Sequence, residues 1–172
     1  MSKKASGLFW GTLGTRSFRM IPGIPGIVTG GSSQKLGKNL MQAMGLKRGT
    51  KWKGYQAQHI IPVELRNHPV LKKIGFNLDD ASNGIFLRKP KDDVSALSRH
   101  EGYHSPYSKF VEKMLDSIDI NASIFSIQKE VKSLQNILRK MQLNGIVLYQ
   151  KQGASTDLYE RTYNRIISTQ KG

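Results

Sequence analysis

The sequence predicts an α+β protein in which a small strand–loop–strand–helix unit is embedded in a mainly helical domain. Two observations carry this. Residues 55–118 run as a short β-prone segment, a stretch of turn residues, a second short β-prone segment and an amphipathic helix. The segments on either side carry apolar residues at the three- and four-residue spacing of helices instead of the alternation of strands. At 172 residues the chain is long enough for one domain with a real core and extensions.

Taken in order, residues 1–32 form a basic, Gly/Pro-containing extension. Its start, "MSKKASGLFWGTLGTRSF", is basic but has no unbroken apolar run before Arg16, so no secretory signal peptide is evident. The most apolar stretch, "MIPGIPGIVTGG" at 20–31, is short and broken by Gly and Pro. A membrane span needs ~20 apolar residues, so this stretch reads as a linker.

From 33 to 118 the elements follow quickly. "SSQKLGKNLMQAMGLKRG" (32–49) reads as a helix capped by Ser32 or Ser33, lined on one face by Leu36, Leu40 and Met44 and closed by Gly45. "YQAQHIIP" is a short strand ended by Pro62. Residues 63–74 suggest one or two helical turns, with Pro69 opening the second. "NLDDASNG" (77–84) is turn chemistry, and "IFLRK" (85–89) is a second strand stopped by Pro90. A helix then begins with Ser105 at its cap and Pro106 in its first turn, with Phe110, Val111, Met114, Leu115 and Ile118 on one face.

Residues 119–172 form a helical extension expected to pack on this core. Its longest helix, 121–143, carries Ile124, Ile127, Val131, Leu134, Leu138 and Met141 as a stripe of the kind that packs a core. A short β-prone "IVLY" after Gly145 precedes a last helix from about Thr156 to Ile167. This C-terminal third shows no chemistry of its own.

Charge sets the class of partner. There are 27 Lys+Arg against 12 Asp+Glu, a net charge of +15, and from Met1 to Val63 ten basic residues stand with no acid before Glu64. Such an excess favours polyanions, nucleic acid first and anionic membrane surfaces second. A solvated basic tail explains residues 1–32 equally well. The chain has no cysteine, which excludes a disulfide framework and a thiolate metal site. It suits the cytosol, and equally a protein that unfolds, crosses a membrane and refolds.

Four histidines could do chemistry: His59, His68, His100 and His104. His68, in "RNHP", reads as structural. His100 and His104 are four apart, a spacing that on a helix brings two imidazoles to one face and to one cation. Pro106 opposes a continuous helix there, so the pair can equally lie on a turn leading into the helix. His59, at a strand end and followed by Ile60, Ile61 and Pro62, fits a fixed general base or a satisfied core histidine.

The ordered set "AQHIIPVEL", "SNGIFL" and "HEGYHSPYSKFVEKML", from Ala57 to Leu115, resembles the AHH-type nucleases of the HNH/endonuclease VII superfamily, the ββα-metal finger enzymes. The upstream "KLGKNLMQAMGLKRG" resembles the segment before this core in bacterial polymorphic toxins, and the likeness covers roughly residues 33–118. The resemblance implies a ββα-metal finger core, with His59 as the general base and Asn83 fixing the loop that orients it. It implies one divalent cation on His100 and His104. The family's histidine before the base is Gln58 here, a weaker amide donor, which favours Mg²⁺ or Mn²⁺ over Zn²⁺ or Ni²⁺. Lys51, Lys53, Arg88 and Arg99 are candidate phosphate contacts.

The function expected from this is a metal-dependent, sequence-nonspecific DNA endonuclease. It would be a bacterial toxin or effector, secreted or delivered to act in the target-cell cytoplasm and restrained at home by an acidic immunity protein. An RNase on the same scaffold, or a noncatalytic basic nucleic-acid-binding protein with a degenerate finger, are the alternatives. Metal-dependent nicking of plasmid separates enzyme from binder.

Overall fold

A computed structural model describes residues 16–88, 106–145 and 153–171. Helix α1, Ser33–Ala43, is capped by Ser32, whose hydroxyl accepts the Lys35 N–H at 3.2 Å. Strand β1, Tyr55–His59, pairs antiparallel with β2, Gly84–Arg88, with Tyr55 opposite Arg88 and His59 opposite Gly84. Between them lie a 3-10 turn at Val63–Leu65, helix α2 at Pro69–Ile74 and a second 3-10 turn at Ala81–Asn83. Helices α3 (Pro106–Asp116), α4 (Ile124–Leu143) and α5 (Thr156–Lys171) follow. The expected Ser105 cap and the "IVLY" run lie outside the described residues. The α+β class and the strand–loop–strand–helix order are as the sequence predicts.

A two-stranded sheet is marginal alone, so its stability comes from what covers its faces. Alternation along β1 and β2 sends Ala57 and Phe86 to one side, into a cluster with Leu36, Leu40 and Met41 of α1. The same alternation sends Ile85 and Leu87 to the other side, against the main core. Ile60 and Ile61, just past β1, are fully buried there with Leu71 of α2, Phe110 and Val111 of α3, Val131 and Leu138 of α4 and Tyr159 of α5. The hairpin thus sits between α1 and a helical layer. Gly84 is required on the α1 side, since a Cβ there would lie 2.8 Å from methyl carbons of Leu36 and Leu40.

Two details differ from the sequence reading. Ile124, placed in the apolar stripe of the long helix, is exposed, because it directly follows the Ser123 cap before the helix face turns onto the core. Residues 20–31, read as a linker, are tied to the core by backbone bonds. Thr29 accepts the Leu78 N–H at 2.8 Å and donates to the Phe76 carbonyl at 3.0 Å, and Gly26 donates to the Lys72 carbonyl. Met20 and Val28 half-bury against the main core. The surrounding Gly and Pro obscured that anchoring in the sequence. No helix among the described residues is long and apolar enough to cross a membrane.

Candidate active site

His59 is the last residue of β1 and is buried on the α1 side of the hairpin. Its Nε2 lies 2.8 Å from Oδ1 of Asp79, a carboxylate itself only 5% exposed. Asp79 is fixed in turn by the chain entering α1. Its Oδ1 accepts the Gly31 N–H at 2.9 Å, and the Ser32 N–H reaches both carboxylate oxygens, at 3.0 and 3.1 Å. Its carbonyl accepts from Asn39 Nδ2 at 2.7 Å. A carboxylate is an acceptor, so the facing ring nitrogen carries the hydrogen, and that bond assigns the Nε2–H tautomer. Nδ1 is left with its lone pair.

Asn83 holds the backbone around this pair. Its Oδ1 accepts the Ile61 N–H at 2.8 Å, and its Nδ2 donates to the carbonyls of Ile61 and Leu78 at 3.1 and 2.9 Å. Its own carbonyl accepts the Ile60 N–H at 2.7 Å. One fully buried amide therefore joins the exit of β1 to the loop bearing Asp79.

Helix α4 closes the arrangement from the main-core side. Gln135 Nε2 donates to Asn83 Oδ1 at 3.2 Å, and Arg139 donates to the carbonyls of Gly84 and Ser82 at 3.0 and 3.2 Å. Burial lowers the Arg139 guanidinium to about 10, so it stays cationic at neutral pH. Gln142 Nε2 donates to the Tyr107 hydroxyl at 2.7 Å, and that hydroxyl donates to the Ile60 carbonyl at 2.6 Å. Burial pushes the Tyr107 phenol well above its usual range, so it keeps its proton and its role as donor.

A strand-end histidine, a turn Asn-Gly opening the next strand and a helix after it occur in the order of a ββα finger. Residues 39–141, more than half of the chain, match the model of AHH, a nuclease family of the HNH/ENDO VII superfamily with conserved AHH. The chain belongs to this family. No curated protein and no solved structure matches it.

As an AHH nuclease the protein acts on nucleic acid, and enzymes of this superfamily are generally metal-dependent. The match runs past residue 118, where the sequence resemblance stops, and takes in Gln135 and Arg139 of α4. At the triplet resembling the family's AHH this chain reads Ala57-Gln58-His59.

The candidate metal donors lie partly outside the described residues. Among the described residues no three His, Asp or Glu side chains gather into a metal site. Gln58 is half-buried on the face of β1 opposite His59, and its Oε1 accepts from Gln56 Nε2 at 3.2 Å with a second lone pair remaining. His100 and His104 lie outside the described residues. One amide oxygen with two imidazoles is a donor set that suits a divalent cation.

The other candidates divide as follows. Lys51 and Lys53 are exposed in the loop before β1, Arg88 ends β2 opposite Tyr55, and Arg99 lies outside the described residues. His68 is structural in this AHH nuclease: its Nδ1 accepts the Val70 N–H at the start of α2, and its Nε2 lies 2.7 Å from Asp116 of α3.

Sequence reasoning missed Asp79, which "NLDDASNG" disguises as turn chemistry, and the α4 residues. Gln135, Arg139 and Gln142 recur at positions i, i+4 and i+7, each one residue after a buried Leu or Met. Polar side chains at helical spacing beside an apolar stripe were the available signal.

Proposed function

We propose that this AHH nuclease is a sequence-nonspecific DNA endonuclease in which His59 is the general base. The observation that carries it is the buried His59–Asp79 pair, which leaves Nδ1, without a partner among the described residues, as the proton acceptor. In this reading Nδ1 takes a proton from the attacking water as its oxygen bonds to phosphorus in line with the leaving oxygen. Asp79 holds the ring and stabilises the imidazolium that forms, and Asn83 keeps the base in register. His100, His104 and Gln58 would hold the divalent cation, Mg²⁺ or Mn²⁺ before Zn²⁺ or Ni²⁺. When bound, the cation polarises the scissile phosphate and stabilises the leaving oxygen.

The choice of DNA without sequence preference rests on the +15 charge, which serves backbone binding. The toxin role rests on the likeness of residues 35–49 to the segment preceding toxin nuclease cores. An acidic immunity protein is then the natural complement of so basic a chain. The test is incubation of supercoiled plasmid and of a structured RNA with the purified chain, with Mg²⁺ or Mn²⁺ and with EDTA. Metal-dependent nicking of the plasmid is expected. Cleavage of RNA alone would reassign the substrate, and no cleavage of either would overturn the enzyme.

A further inference from the structure

A groove of about 420 Å³ opens between α1 and the loop that leads into β1, and neither His59 nor Asp79 is among its lining residues. Lys38, Arg48, Lys51 and Lys53 line it with no carboxylate among its lining residues. The sequence explains the sign, since no acid occurs before Glu64.

The groove is built on rigid parts. Its wall is Trp52, whose ring packs against Phe86 with centroids 5.6 Å apart and lies flush on α1 at Gly37. A Cβ at Gly37 would come within 2.6 Å of the indole. Glycine inside a helix costs ~1 kcal/mol relative to alanine, and here it admits the tryptophan. Arg48 is held in place as well: its Nη1 donates to Asn39 Oδ1 and Gln42 Oε1 at 2.6 and 2.9 Å. Among the described residues its Nη2 and Nε take no partner, which leaves them as donors in the fork geometry that suits a phosphate.

We propose that this groove binds the phosphodiester backbone of the substrate to one side of the bond that is cut. The placement relative to the cut rests on the nuclease reading above. Strand β1 connects the two sites directly, because Tyr55 lines the groove and His59 ends the strand. Four strand residues span ~13 Å. A duplex is wide and long enough to reach both across that distance, so the groove and His59 can engage one and the same nucleic acid. Its cations contact phosphates and read no bases, consistent with cleavage without sequence preference.

The experiment measures binding of a labelled duplex of about 20 base pairs to the His59→Ala chain in EDTA, by fluorescence anisotropy across a salt series. The expected result for Lys51→Gln/Lys53→Gln is a loss of affinity and a fall of about 1.8 in the slope of log K against log salt, 0.9 for each phosphate contact removed. Lys38→Gln/Arg48→Gln should behave alike, while Lys129→Gln/Lys140→Gln on α4 should change both far less. Equal losses in all three pairs, or wild-type binding by the groove pairs, would overturn the groove. Plasmid cleavage by the native chain reports separately on the nuclease reading. Cleavage with unaffected groove pairs removes the groove alone, and groove losses without cleavage keep the groove and remove the nuclease.

Discussion

At the scale of single residues, what distinguishes His59 from a core histidine is its partner. A packed imidazole needs only one bond to a backbone group, whereas this one faces a buried carboxylate that three backbone and ring N–H groups hold in place. Asp79→Asn keeps the shape but removes the charge, and its amide can donate to Nε2 and reverse the tautomer. Cleavage should fall by ~10²–10⁴-fold with the fold intact, and the ¹⁵N shifts of His59 should report the altered tautomer. Gln58 tests the metal side. Replacing it with His should tighten Zn²⁺ and Ni²⁺ binding by calorimetry and shift the nicking preference towards them. Unchanged affinities would mean that residue 58 does not face the ion. His59, Asn83 and Gln58 could be named as candidates from the sequence because their short motifs are local. Asp79 was not, because the N–H groups that fix it belong to Gly31 and Ser32, 48 and 47 residues away.

At the scale of elements, the finger is held from outside itself. The order of β1, β2 and α3 could be read from short apolar runs bounded by Pro62, Pro90 and Pro106. The role of α4 could not, since its apolar stripe shows only that one face is buried. Which polar residues share that face with the active-site loops depends on how the helix crosses the hairpin. Tyr107 is the most direct test of this bracing, because its hydroxyl joins the Ile60 carbonyl to Gln142. Tyr107→Phe leaves both groups buried and unpaired and should cost ~1–3 kcal/mol in denaturant unfolding. The cleavage rate should also drop, since Ile60 adjoins His59, the proposed base. A variant of unchanged stability would show that α4 does not brace the strand.

At the scale of the whole molecule, charge and anchoring run through the same N-terminal half. Residues 16–31 look like punctuation in the sequence, yet they supply two of the N–H groups that hold Asp79 when extended to Ser32. Buried phenols give the fold a definite alkaline limit. Tyr107, Tyr159 and Tyr163 are all raised by burial. They ionise near pH 10 when unfolded, so their contribution is full below about pH 10 and is lost as pH rises further. Lys132 acts in the opposite sense. Burial, then the charge of Arg139, lowers it to about 8, so rising pH between about 8 and 10.5 favours the fold slightly, screened by its exposure. The urea midpoint should therefore hold to about pH 10 and fall above it, with the tyrosinate absorbance of these three rings, of six tyrosines in the chain, appearing together with unfolding. Tyrosinate absorbance that rises for all six tyrosines in the folded state would contradict the burial of Tyr107 and Tyr159.

The most direct measurement is the single-turnover cleavage rate of His59→Ala beside the native chain at saturating metal, with metal affinity measured on both. A general base accounts for ~10²–10⁴ in rate, so the variant should lose that factor while binding metal and folding as the native chain does. Native-like cleavage by His59→Ala would contradict the assignment of His59 as the base.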